Sequence, residues 1–128
     1  MSERRTDTGA RAVLDAATDE RTFQRQVVAL ARLCGYRLIY HTHDARRSPA
    51  GFPDLVLLRP GSEDRAGHLV MLELKTEHGR PTVDQVEWLA GLATVPGITV
   101  RLARPSDWPE LEAIFCGAPM LPAEWRTE

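Results

Sequence analysis

Two apolar runs of strand length, "PDLVLLR" (Pro53–Arg59) and "HLVMLELKT" (His68–Thr76), flank the turn-rich "PGSEDRAG". Their lengths and the intervening Gly, Pro, Ser and Asp predict a β-hairpin. Pro53 sits at the first residue of its strand, where no ladder donor is yet needed. Alternate side chains of a strand share a face, so Leu72, Leu74 and Thr76 point one way and Met71, Glu73 and Lys75 the other. Leu72 and Leu74 suit a core. Glu73 and Lys75 then share the second face of an otherwise apolar strand, at a desolvation cost that a simple surface ion pair does not explain. Asp54, at the head of the partner strand, is placed to lie across from them. Two carboxylates and one ammonium converging at a sheet edge suit a hard divalent cation and a group that steers water.

Lys75 carries a second signal. Fifteen of the sixteen Lys and Arg residues are arginine, and Lys75 is the only lysine. Where positive charge suffices, this chain uses arginine. Lysine differs in being a compact donor whose pKa falls on burial, which points to a chemical need at that one position.

Around the hairpin the chain reads as one domain. Its 128 residues, 43% of them hydrophobic, can fill a single core. Residues 1–17 have no clear apolar face and predict a flexible arm. From Thr18 the apolar residues Phe23, Val27, Leu30, Ala31 and Cys34 recur at helical spacing, with Thr18 or Asp19 as cap and Gly35 as terminator. "YRLIYHT" predicts a strand and "HDARRSPAG" a basic loop. After the hairpin, "TVDQVEWLAGLA" predicts a helix capped by Thr82, with Val86, Leu89 and Leu92 or Ala93 facing inward. "GITVRLAR" predicts a fourth strand, "SDWPELEAIF" a helix capped at Ser106, and 117–128 an irregular tail. The order αβββαβα predicts an α/β domain, 18–116, around a mixed sheet of about four strands.

Charge narrows the partners. A net charge of −2 excludes a generally basic coat, so any nucleic-acid contact must come from a local patch. No apolar run approaches bilayer length, and "MSERRTDTGARAV" lacks the apolar segment of a signal peptide, so the expectation is a cytoplasmic protein. Cys34 and Cys116 form no CxxC pair and predict lone buried thiols in a reducing compartment. His41, His43, His68 and His78 match no zinc spacing with Cys34; solvated or phosphate-facing roles are expected. Trp88 and Trp108 neighbour apolar helical positions and are expected in the core.

GFPD, ELK, the following Gly79-Arg80 and the Gln85-x-x-Trp88-Leu89 helix occur in the order of a PD-(D/E)xK nuclease signature. Over Thr18–Trp108 the chain resembles the phage-type VRR-NUC (virus-type replication-repair nuclease) family. That resemblance implies a restriction-endonuclease-like core. It implies that Asp54 and Glu73 ligate Mg²⁺ or Mn²⁺ with the backbone carbonyl of Leu74, and that Lys75 orients or deprotonates the attacking water. Glu20 corresponds to an additional acidic ligand, with Asp19 beside it as the alternative, and Gln85 to the family's active-site glutamine. The implied reaction is hydrolysis of a DNA phosphodiester, leaving a 5′-phosphate and a 3′-hydroxyl. His41, His43, Arg46, Arg47 and Ser48 are expected to contact phosphates just before Asp54, with Arg80 on the far side. Nothing in that loop is suited to reading bases, so recognition by DNA shape is expected.

The leading expectation is therefore a structure-specific endonuclease for branched or junction DNA in phage-type replication, recombination or repair. A homodimer in a bacterial or phage-infected cell would present two sites to a junction. The competing readings are a non-catalytic DNA-binding module of the same fold and a restriction-type nuclease. The first conflicts with intact Asp54, Glu73 and Lys75; the second needs more recognition surface than one small domain provides.

Overall fold

The computed structural model describes residues 19–42 and 50–117. The expected arm 1–17, the tail beyond Gly117, and His43, Arg46, Arg47 and Ser48 lie outside the described residues. Helix α1 (19–33) leads into a mixed sheet of four strands. These are β1 (Leu38–His41), β2 (Leu55–Arg59), β3 (His68–Leu74) and β4 (Ile98–Ala103), in spatial order β1-β2-β3-β4. Helix α2 (Val83–Leu92) crosses from β3 to β4, and a 3₁₀ turn (Pro105–Asp107) opens into α3 (Trp108–Cys116). β1, β2 and β3 pair antiparallel, while β3 and β4 are parallel. Parallel neighbours need such a helical crossover. The result is the expected α/β architecture, three helices flanking a four-strand mixed sheet, consistent with a restriction-endonuclease-like core.

β3 is an interior strand, and Val70 to Leu74 are buried without interruption. Continuous burial marks a strand covered on both faces. On one face Leu55, Leu57, Val70, Leu72 and Leu74 meet Phe23, Val27, Leu30 and Ala31 of α1 and Leu111 and Phe115 of α3. On the other face Met71 and Glu73 lie toward α2. The charged residues therefore stand at the end of an interior strand rather than at the predicted sheet edge.

α1 ends as expected at Gly35, whose φ of +96° favours glycine. Tyr36 N donates to Ala31 O at 3.0 Å and Gly35 N to Arg32 O at 3.1 Å, satisfying carbonyls that the helix end leaves open. Other details differ from the sequence reading. Cys34 and Cys116 are not lone thiols but a disulfide, with Cα atoms 5.4 Å apart and 82 residues between them in sequence. Only the packing of α1 against α3 brings them together. Cys116 is the last residue of α3.

α2 starts at Thr82 as predicted but is turned on its axis. Val86 is 51% exposed and Ala93 is also exposed, while Gln85, Trp88, Leu89 and Leu92 are the half-buried residues. A polar residue takes the innermost register because it has a buried partner in the sheet. α3 is not capped by Ser106, whose Oγ donates to Glu77 Oε2 at 2.9 Å. Asp107 instead closes the turn, accepting from Arg104 N at 2.8 Å. His68 is neither solvated nor phosphate-facing, because its ring bonds to Tyr36 and Thr99. Among the described residues no helix is long and apolar enough to cross a membrane.

Candidate active site

The register that pairs Leu55 with Leu72 sets Asp54 against Glu73 one step beyond. Asp54 is held from both sides. Thr42 N donates to its carbonyl at 2.8 Å, and Leu74 N donates to Asp54 Oδ2 at 3.0 Å. Thr42 Oγ1 also donates to Pro53 O at 2.8 Å, so the end of β1 fixes the Pro53–Asp54 segment.

Glu73 is 1% exposed. Gln85 Nε2 donates to its Oε1 at 2.6 Å, while Oε2 is buried and accepts no hydrogen bond. Burial pushes the Glu73 carboxyl up to about 9. That value is a net one: the adjoining Asp54 contributes to the rise, both as a partner for the retained proton and by its charge, Lys75 opposes it and Glu20 adds to it. With both acids ionised, no donor reaches Oε2. With one proton retained, Glu73 can share it with Asp54. Burying Glu73 against a facing carboxylate works against folding unless a proton or cation lies between them.

Gln85 is fixed by local chemistry that the sequence reading treated only as a cap. Gln85 N donates to Thr82 Oγ1 at 3.1 Å, and Thr82 N donates to Gln85 Oε1 at 2.8 Å. This reciprocal box occupies the amide oxygen and leaves the amide nitrogen for Glu73. The Gly-Phe of GFPD seats the same helix turn. At Gly51, φ is +88°, and an added Cβ would stand 2.4 Å from the carbonyl carbon of Asp84. Phe52 meets Trp88 edge to face at 5.2 Å. GFPD and the glutamine helix are thus two halves of one contact. Gly51→Ala is expected to lower stability by about 2–4 kcal/mol through left-handed strain and backbone overlap. A denaturation midpoint equal to wild type would show that this close approach is not required.

Lys75 directly follows β3, and its N–H donates to Ala103 O at 3.0 Å. The loop after it is clamped by Arg104, which donates to Thr76 O and Gly79 O, each at 2.6 Å. Arg104 was not singled out from sequence, because its partners here are main-chain atoms. Arg80 is exposed beyond this clamp. Glu20, rather than Asp19, is the α1 acid whose charge reaches Glu73. It does not complete a cluster: among the described residues no three His, Cys, Asp or Glu side chains are grouped to hold a metal unaided. His41 accepts from Gln24, one turn after Glu20. The donors that fit a hard cation are Asp54 and Glu73, whose unmatched buried oxygen is the kind of ligand such a cation takes, with main-chain and water oxygens completing the shell.

A mixed sheet bearing a buried glutamate that faces a half-buried aspartate, a lysine two residues on and a helix glutamine defines a nuclease-type α/β domain. The VRR-NUC domain family matches residues 9–107, and the chain belongs to that family. A solved structure described as a VRR_NUC domain protein is similar at 22% identity and a TM-score of 0.42, covering 65% of this chain and 78% of its own. Among curated proteins none matches.

Proposed function

We propose that the protein is a metal-dependent, structure-specific DNA endonuclease that hydrolyses phosphodiester bonds in branched or junction DNA. The observation that carries this reading is the buried Glu73 facing Asp54, with one oxygen lacking any donor. A structural role does not account for that arrangement; binding of Mg²⁺ or Mn²⁺ does. Asp54, Glu73 and the Leu74 carbonyl would hold the cation, with Glu20 contributing from α1. When bound, it supplies a water of lowered pKa and offsets phosphate charge.

The remaining work falls to side chains. Lys75 orients the attacking water, accepts or relays its proton and neutralises charge developing on the phosphoryl oxygens. Gln85, locked by its capping box, keeps Glu73 turned toward Asp54. Water adds to phosphorus in line with the departing 3′ oxygen, leaving a 5′-phosphate and a 3′-hydroxyl. Arg80 and His41, with His43, Arg46, Arg47 and Ser48 in the loop, contact phosphates and recognise DNA by shape. A homodimer would offer two such sites to a junction in phage-type replication, recombination or repair in the cytoplasm. Supercoiled plasmid and a synthetic four-way junction, each with Mg²⁺ or Mn²⁺, test the proposal. The junction is expected to be cut in preference, and chelator to stop the reaction; no cleavage of either substrate with either metal would overturn it.

A further inference from the structure

Between Glu20 and Asp44 the chain carries four arginines and no acidic residue, in a protein of net charge −2. Three of them, Arg21, Arg25 and Arg32, follow one side of α1 at helical spacing. They span about 16 Å along the axis. All three are exposed, and together they line a groove of about 520 Å³. Val28 and Ala29 supply its apolar part, and Gln24 and His41 join it to β1. No described residue forms an ion pair with any of the three guanidiniums. A solvated helix face usually mixes both signs; this one presents a single sign along three turns.

The residues that line the groove adjoin ones tied to the candidate active site. Glu20, immediately before Arg21, is felt at Glu73. Next to His41, Thr42 bonds to the Asp54 carbonyl. We infer that this α1 groove seats the stretch of DNA backbone adjoining the scissile phosphate, with Arg21, Arg25 and Arg32 each taking phosphate oxygens. This rests on the nuclease reading. A guanidinium fork matches phosphate oxygens in two-point contacts, and the small apolar lining leaves room for sugars. Contacts of this kind set the path of the strand without reading its sequence.

The test is binding of fluorescent duplex DNA in chelator, followed by anisotropy over a NaCl series, so that turnover plays no part. Each of Arg21→Gln, Arg25→Gln and Arg32→Gln is expected to weaken binding about 3–10-fold, and the triple variant to flatten the log–log salt slope by about 2–3. Arg65→Gln, in the β2–β3 turn at the opposite end of the sheet, should leave both unchanged. A triple variant with wild-type affinity and slope would overturn the groove assignment. So would equal losses in Arg65→Gln, or displacement by polyglutamate as effective as by DNA. The two readings fail separately. Groove-dependent binding without cleavage of any substrate rejects the nuclease, whereas cleavage by wild type with unaltered binding in the triple variant rejects only the groove.

Discussion

Lys75→Ala is expected to lower the DNA cleavage rate by about 10²–10⁴-fold while leaving DNA affinity and folding stability close to wild type. The side chain is only partly buried, so truncation should change stability by no more than about 0.5 kcal/mol. In the proposed mechanism its role is chemical. Among the described residues it is the cation that opposes the raised pKa of Glu73, and in that mechanism it steers the attacking water. Lys75→Arg should rescue poorly, because a guanidinium is larger and does not release its proton near neutral pH. Single-turnover cleavage and equilibrium binding on the same junction separate the two effects. Cleavage by Lys75→Ala at the wild-type rate would remove Lys75 from the mechanism.

Glu73→Gln is expected to do two opposite things. In metal-free wild type, the folded protein retains a proton on Glu73 up to about pH 9, whereas the unfolded chain releases it near its ordinary value of 4.5. Between those values the folded state binds more protons than the unfolded state, so stability falls as pH rises. It is fully present only below the unfolded value. The slope from one such group is at most about 1.4 kcal/mol per pH unit. Glutamine is uncharged at every pH; it can still accept from Gln85 and can donate toward Asp54. The variant should lose that slope and gain about 1–3 kcal/mol at pH 7.5 in chelator. It should also lose the upward melting shift that Mn²⁺ is expected to give wild type, about 2.7 kcal/mol at a hundredfold excess over Kd. Calorimetry with Mn²⁺ provides the direct check. A variant less stable than wild type in chelator at pH 7.5, or one that gains the same shift from Mn²⁺, would refute the cation site.

These expectations combine features that were legible in different degrees. The β2–β3 hairpin, the opposite faces of Leu72 and Glu73, and the Thr82 cap are consequences of local rules, and each was readable from a few neighbouring residues. The rotation of α2 was not. Val86 has the apolar side chain that a periodicity argument turns inward, yet Gln85 occupies that place because Glu73, twelve positions earlier, offers it a buried acceptor. Ser106 failed as a cap for the same kind of reason: Glu77, across the β3–α2 loop, claims its hydroxyl. The arginine face of α1 was overlooked because each arginine alone looks like solvated surface. Its meaning depends on which way the helix turns over β1.

The residue order alone determined the alternation that puts Glu73 and Lys75 on one side of a strand, since strand periodicity is a property of the backbone. It also determined that lysine occurs once. Tertiary structure decided how strongly Glu73 is buried, which acid of α1 is felt there, and that Cys34 meets Cys116. Those outcomes depend on surfaces from distant segments closing over one another. Desolvation and long-range pairing exist only once the helices have packed against the sheet.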